Sequence, residues 1–235
     1  MSHHPSSEIQ SYLQHKDYSL AIRRLLDISL DSANPGIIRD AISISQAYHA
    51  TTKKESIDKA VGKLVSQVTG LLEQISLESP RHKPSELLVS ANEISKSYNT
   101  GNFRLQPISL EISTGDILGI VGENGNGKTT LLRCLAGQLA IDSGSLNHTI
   151  VKEKGVYPIK STVAFIPQRI PKWYGLLKDN LYFSSSITGT RGEHNELMVD
   201  FMLERLNLSS YSHLTWDQIS SGYRTRFEIA RVLLQ

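Results

Sequence analysis

The sequence predicts an α/β fold preceded by a small all-α domain. Two observations indicate this. Residues 6–78 show the apolar spacing of amphipathic helices. After residue 86, short β-branched runs alternate with helical segments, and the run at 117–121 leads into a glycine-rich turn and a helix. A polar segment with two prolines separates the two patterns. We therefore expect an N-terminal domain at 1–78, a linker at 79–86 and a second domain at 87–235.

The N-terminal segment is expected to form four helices, near 7–16, 17–30, 35–50 and 51–79. Six apolar residues of the last helix follow one another at alternating spacings of four and three, which is a heptad stripe. The stripe predicts packing against the preceding helices, with a partner helix as the alternative. The segment has no catalytic cluster, so it indicates at most an adaptor or oligomerisation domain. The stripe consists of Ile57, Val61, Leu64, Val68, Leu71 and Ile75.

Composition excludes several classes of protein. A net charge of +2 over 235 residues predicts no nucleic-acid partner. The sequence has neither an 18-residue apolar run nor the apolar core of a signal peptide, so we expect a cytoplasmic protein. The single cysteine, Cys134, excludes an internal disulfide and is expected to be a packed, inert thiol. The eight histidines show no metal-ligand spacing and are expected at the surface.

Residues 122–129 follow the pattern G-x-x-x-x-G-K-T between a predicted buried parallel strand, 117–121, and a predicted helix. Glycines let the backbone approach phosphate oxygens, and the helix start adds free N–H groups. Lys128 supplies a mobile charge for the β- and γ-phosphates, and the Thr129 hydroxyl can bind Mg²⁺. The pattern predicts a P-loop NTPase; the alternative is an ordinary glycine-rich turn. The predicted phosphate-binding residues are Gly122, Asn124, Gly125, Asn126, Gly127, Lys128, Thr129 and Thr130.

Three further motifs occur in a defined order around this loop. Tyr98 precedes it in Ile-Ser-Lys-Ser-Tyr, and Gln168 ends the predicted strand Val-Ala-Phe-Ile-Pro-Gln. Ser220-Ser-Gly222-Tyr then precedes a predicted helix. With these motifs, residues 87–235 resemble the nucleotide-binding domain of ATP-binding cassette (ABC) ATPases.

The resemblance implies a role for each matching residue. Tyr98 would stack on adenine, and Gln168 would reach Mg²⁺ and the attacking water. Ser220 and Gly222 would hold the γ-phosphate of ATP bound to the opposite subunit. The local alternatives are a sheet-edge tyrosine and a helix-capping turn. Lys128 and Gln168 are thus expected to be catalytic, and Thr129 and Gln168 to contact the metal.

The signature departs from the family's Leu-Ser-Gly-Gly-Gln at two positions. Ser221 replaces a glycine, which is tolerated if its φ is negative, and Tyr223 replaces the glutamine. We expect the second change to alter the geometry of the contact to the opposite subunit. Residues 169–218 match the family's helical subdomain, with helices expected near 177–183 and 197–206. The aromatic pair Trp173-Tyr174 is expected either to face a membrane subunit or to be buried inside the helical subdomain.

The resemblance implies an ATP-hydrolysing subunit of a transporter, with ATP and Mg²⁺ as cofactors. It would work as a head-to-tail homo- or heterodimer, held at the inner face of the membrane by a membrane-spanning partner. The family's next elements, an apolar strand ending in Asp-Glu and a switch histidine, are expected beyond Gln235. We therefore expect the given chain to be truncated after the signature, which leaves its own hydrolysis open. The alternative function is a nucleotide-switched module that recruits a partner through the N-terminal helices.

Overall fold

The structure, a computed structural model, describes residues 5–51, 57–76, 85–98, 103–151, 159 and 162–235. Its contacts divide the chain into two compact units. The helical unit comprises Met1–Arg81 together with Gln168–Gln235, and the sheet unit comprises His82–Pro167. The boundary after Arg81 falls within the predicted linker. Each unit has an apolar core of its own.

Four helices form the first part of the helical unit: α1 (Pro5–Gln14), α2 (Tyr18–Asp31), α3 (Pro35–Thr51) and α4 (Ile57–Ser76). They confirm the predicted helices with somewhat different bounds. α3 begins with Pro35, and the Asn34 side chain accepts the Gly36 N–H at 2.9 Å, which caps the helix. The heptad stripe packs within the unit as predicted, since its members Leu64, Val68, Leu71 and Ile75 are buried. The side chains of Ile57 and Val61 lie outside the described residues.

The described part of the sheet unit includes three antiparallel strands and the helix after the glycine-rich turn: β1 (Leu87–Ser97), β2 (Arg104–Ser113), α5 (Lys128–Leu135) and β3 (Ser143–His148). The strand order is β2-β1-β3. A bulge interrupts the register of β1 with β2 between Ala91 and Ile94, where Glu93 has φ 50°. Ala91, Ile94 and Leu105 of the sheet pack against α5. β3 was not predicted, since Ser-Gly-Ser-Leu-Asn-His has little apolar alternation.

Two predicted strands are wrong. Residues 117–121 and 163–166 form no ladder, and the side chains at the ends of the first segment are almost fully exposed. Ile117 is 98% exposed and Val121 is 92% exposed. A strand persists only when a neighbour supplies hydrogen-bond partners. Within the residues that the structure describes, no strand pairs with either segment. Apolar composition alone therefore did not determine a strand.

Besides two short 3-10 helices, Ser209–Tyr211 and Trp216–Gln218, three α-helices complete the described part of the helical unit: α6 (Leu177–Ile187), α7 (Gly192–Arg205) and α8 (Ser221–Leu233). They confirm the helices predicted for this region. Leu177, Phe201 and Phe227 are buried in the same apolar core as Leu25 and Leu26 of α2. The N-terminal helices and the helices after Gln168 therefore share one core.

Polar contacts also fix α7 to α2 and α3. Arg205 donates to both carboxylate oxygens of Asp27, at 2.5 and 3.0 Å. The buried carboxylate of Glu204 accepts the hydroxyl of Ser45 at 2.9 Å and that of Ser209 at 2.6 Å. Because a buried carboxylate is costly without donors, these hydroxyls stabilise the contact.

Candidate functional site

The glycine-rich turn leads directly into α5. Gly127 is the N-cap residue, with φ 86° and ψ 10°, and its carbonyl accepts the first helical N–H, from Leu131, at 2.8 Å. The N–H groups of Lys128, Thr129 and Thr130 therefore have no acceptor within the helix. Together with the helix dipole they form a site that favours an anion.

Gly127 cannot be replaced without strain. Its φ of 86° lies in the left-handed region, which disfavours side chains. A Cβ added there would lie 2.8 Å from Phe103 Cζ and 3.0 Å from Leu105 Cδ1. Gly125 also has a positive φ, 92°, but a Cβ on it would meet no atom within 4 Å. Gly127 is thus the position at which the loop is packed against the sheet.

The side chain of Lys128 hydrogen-bonds back to the glycine-rich loop. Its ammonium donates to the carbonyl oxygens of Gly122 and Glu123, at 2.7 and 2.8 Å. These bonds use two of the three N–H donors of the ammonium. The positive charge is therefore held against the first two residues of the loop.

Tyr98 lies next to the loop. Its hydroxyl is 3.4 Å from the hydroxyl of Thr130, and its ring centroid is 5.7 Å from that of Phe103, tilted by 44°. Tyr98 is 37% exposed, whereas Thr130 is buried. The neighbouring Thr129 is exposed and can offer its hydroxyl to a ligand. The structure thus brings Tyr98 together with the predicted phosphate-binding residues.

Sequence reasoning missed Asp142. Its carboxylate lies 2.5 Å from Lys96 Nζ and accepts both the N–H and the hydroxyl of Ser97, at 2.8 Å each. The hydrogen bonds from Lys96 and Ser97 lower the pKa of Asp142 to about 2. The sequence offers only the turn-like run Asp-Ser-Gly at 142–144, which gives no sign that it contacts the end of β1.

The signature residues lie in the helical unit, at the start of α8. Ser220 is its N-cap residue, and its hydroxyl accepts the Tyr223 N–H at 3.5 Å. Gly222 is exposed in the first turn. Ser221 is not among the residues with positive φ, so it is accommodated without strain where the family has glycine. The helix-capping alternative and an anion site are both compatible with this geometry.

Tyr223 has a specific environment. Its ring centroid is 3.9 Å from that of Tyr211, and the Arg226 guanidinium lies 5.3 Å from its centre. The Tyr223 hydrogen bond raises the pKa of Tyr211. The residue that replaces the family's glutamine is therefore held by an aromatic and a cationic neighbour.

Gln168 is exposed and belongs to the helical unit, at its boundary. Trp173, shortly after it, is buried and stacks on Trp216 at 5.0 Å, whereas Tyr174 is 81% exposed. Of the two expected positions, Trp173 is therefore buried and Tyr174 is exposed. The predicted contacts of Gln168, Ser220 and Gly222 with nucleotide stay predictions, since these residues and the phosphate loop belong to different units.

Among the described histidines, His148 differs most from the expected surface position. His148 is buried, and its Nε2 lies 2.7 Å from the carbonyl oxygen of Leu135 at the end of α5, so it joins β3 to that helix. His194 and His213 are exposed, as predicted for the histidines. Cys134 is buried, as expected, and burial raises the pKa of its thiol. In the part of the chain that the structure describes, no cluster of His, Cys, Asp and Glu could hold a metal ion.

Residues 105–235, more than half of the chain, match the family model described as ABC transporter. The chain is 26% identical over 162 residues to the phosphonates import ATP-binding protein PhnC 2 of Oceanobacillus iheyensis, covering 63% of this chain and 64% of the relative. It is 30% identical over 155 residues to the methionine import ATP-binding protein MetN of Geobacillus kaustophilus, covering 62% and 45%, respectively.

A solved structure, cbiO1 from Clostridium perfringens, part of the ABC transporter complex cbiONQ, has a TM-score of 0.56 and 22% identity, covering 63% of this chain and 62% of that one. This likeness confirms the predicted P-loop NTPase fold, which α1–α4 precede as the expected all-α region. The chain spans between 28% and 64% of the length of the curated relatives that it matches. Among the described residues, no helix is both long and apolar enough to cross a bilayer.

Proposed function

The chain belongs to the ABC transporter family, and we propose that it binds Mg-ATP at residues 122–130 and serves as the ATP-hydrolysing subunit of a transporter. One observation supports this most directly. Gly127 is the N-cap residue of α5, so three N–H groups at the start of the helix have no helical acceptor, and the Lys128 ammonium is held on the carbonyls of Gly122 and Glu123 in the same loop. Converging N–H donors with one mobile cation are what a triphosphate requires.

Each residue of the phosphate loop has a defined part in this proposal. The backbone from Gly122 to Gly127, including Asn124 and Asn126, would surround the phosphates, and Lys128 would neutralise charge that develops on the transferred phosphoryl group. The exposed Thr129 hydroxyl fits Mg²⁺, because this ion prefers oxygen ligands and takes most of the others from phosphates and water. The bound ion would draw electron density from the γ-phosphate.

The remaining predicted residues complete the site in the proposal. Tyr98 would stack on the adenine base, and Gln168 would orient the attacking water and contact the metal. Ser220 and Gly222 would hold the γ-phosphate of the ATP that is bound to a second protomer. The active form would therefore be a dimer, with the same chain or with a similar one. We propose 87–235 as the ATP-binding domain, 1–78 as the N-terminal domain and 79–86 as the linker.

The family suggests where the protein acts. Relatives named as import ATP-binding proteins suggest a membrane-spanning partner for this chain as well. We propose that the protein acts in the cytoplasm and reaches the inner face of the membrane through that partner. The exposed Tyr174, next to the buried Trp173, is a candidate contact with it.

Replacement of Lys128 tests the proposal. Lys128→Ala removes the mobile cation, so the affinity for Mg-ATP in isothermal titration calorimetry is expected to fall by at least tenfold, and ATP turnover with it. The control is Lys63→Ala on α4, an exposed lysine of the helical unit, which should leave binding unchanged. Equal affinity in the wild type and Lys128→Ala would contradict the proposal.

A second candidate function is a nucleotide-dependent switch without efficient hydrolysis. It is favoured by the shared core of α2, α3 and α7, since a partner bound to the N-terminal helices would be joined physically to the signature helix α8. Measured turnover distinguishes the two. Tight binding of Mg-ATP without phosphate release by the full protein would support the switch, whereas release that stops in Lys128→Ala would support the ATPase.

A further inference from the structure

We propose that Asp142 is a positioning residue for the nucleotide base: it fixes the end of β1 so that Tyr98 presents its ring to adenine. The inference rests on the proposed function. It gives Asp142 a part in binding the base and none in binding the phosphates, so the two can be tested separately.

Asp142 holds the last three residues of β1. Its N–H donates to the carbonyl oxygen of Ser95 at 2.9 Å, and its Oδ1 lies 2.5 Å from Lys96 Nζ. Its Oδ2 accepts the N–H and the hydroxyl of Ser97, at 2.8 Å each. The next residue, Ser143, adds a hydroxyl pair with Ser95 at 2.6 Å. The backbone N–H and both carboxylate oxygens of Asp142 thus bind the three consecutive residues at the end of β1.

Backbone geometry places Asp142 there. Gly144, two residues on, has φ 87°, and a Cβ on it would lie 2.4 Å from the Glu93 carbonyl oxygen and 2.5 Å from that of Asn92. The start of β3 therefore approaches the bulge of β1 as closely as only a glycine permits. Asp142 is held by this approach, and it is not at the tip of a free loop.

Tyr98 follows Ser97 directly and contacts α5. Its hydroxyl lies 3.4 Å from that of Thr130, and its ring packs beside Phe103. Phe103 in turn lies against Gly127, where an added Cβ would meet its ring at 2.8 Å. The contacts of Asp142 fix the backbone before Tyr98, and those of Thr130 and Phe103 limit its ring. A ring held in place loses less entropy when a flat base stacks on it.

The charges agree with a positioning role. Lys96 and Asp142 form an ion pair, so together they add no net charge close to the loop. Since hydrogen bonds from Lys96 and Ser97 keep the pKa of Asp142 near 2, the carboxylate accepts these bonds throughout the neutral range. The electrostatic binding of phosphates is therefore assigned to Lys128 and the N–H groups of α5.

The test compares two ligands, Mg-ATP and inorganic triphosphate with Mg²⁺, by isothermal titration calorimetry. Because base stacking contributes strongly to affinity, Asp142→Ala should lower the affinity for Mg-ATP roughly tenfold. Asp142→Asn should lower it by a smaller factor, because the amide oxygen still accepts from Ser97. Triphosphate affinity should change less than about twofold, since no base is present. Tyr98→Ala should show the same pattern, and the double variant Tyr98→Ala/Asp142→Ala should lose little more than Tyr98→Ala alone.

Asp116→Asn is the matched control. Asp116 accepts the Ser113 N–H at 2.7 Å at the end of β2, which pairs with Leu87 at the opposite end of β1 from Tyr98. This variant should bind both ligands like the wild type. Three outcomes would overturn the inference. Asp142→Asn could weaken the binding of both ligands equally, or both Asp142 variants could bind Mg-ATP like the wild type. The third is a double variant in which the losses of Mg-ATP affinity of the two single variants add up. Wild-type protein that binds neither ligand would overturn the proposed function itself.

Discussion

The helical unit and the sheet unit differ in how their apolar segments find partners. In the helical unit, buried side chains from Ile9 in α1 to Leu234 after α8 form one continuous core. In the sheet unit, the described core is small, and Ile117, Leu118 and Val121 of the apolar run at 117–121 lie exposed, whereas Ile120 packs partly against that core. A helix satisfies its own backbone hydrogen bonds, so the apolar periodicity of the segment itself indicates the helix and the face that it buries. A strand depends on a neighbour elsewhere in the chain, which composition does not supply.

The largest effect is expected in the shared core. Phe227 of α8 is fully buried and packs with its ring edge against Trp173, at 6.2 Å between centroids. Phe227→Ala should lower the free energy of unfolding by about 3–5 kcal/mol, because it removes buried apolar surface and leaves a cavity. Chemical denaturation followed by circular dichroism measures the loss.

The same variant tests whether the N-terminal helices belong to that core. Hydrogen exchange at the amides of α2 and α3 should accelerate together with that of α7 and α8, since one cooperative unit opens as a whole. Protection that is lost in α8 and retained in α2 would contradict a shared core. Leu233→Ala is the control, because Leu233 lies on the same helix and is 59% exposed.

An intermediate effect is expected at the phosphate loop. Gly127→Ala adds a Cβ at a φ of 86° and within 2.8 Å of Phe103, so it should destabilise the sheet unit by about 1–3 kcal/mol and weaken nucleotide binding. Gly125→Ala has a similar φ, 92°, without a close neighbour, so it reports the backbone strain alone. Thermal melting compares the two variants. Equal losses would mean that packing against Phe103 contributes nothing.

The sequence predicted most of what local chemistry determines. The four N-terminal helices and the P-loop pattern before α5 follow from periodicity and motif spacing, and the resemblance to the family implied that Tyr98 lies at the same site. The sequence could not identify Asp142, because its partners at 95–97 are distant in the chain and joined only by the pairing of β1 with β3. Burial of His148 was missed for the same reason, since β3 brings it to the end of α5. The strand at 117–121 was predicted wrongly, because apolar composition was taken to imply a pairing partner.

The smallest effect is expected at that segment, and it tests the comparison between the units most directly. Ile117 is 98% exposed, whereas Ile94 in the same unit is fully buried. The same change, isoleucine to alanine, should alter the free energy of unfolding by less than about 0.5 kcal/mol at 117 and by about 2–5 kcal/mol at 94. Urea denaturation of both variants measures the difference. A loss at Ile117 as large as that at Ile94 would mean that another segment or chain covers 117–121 in solution, and the contrast between the two units would then no longer hold.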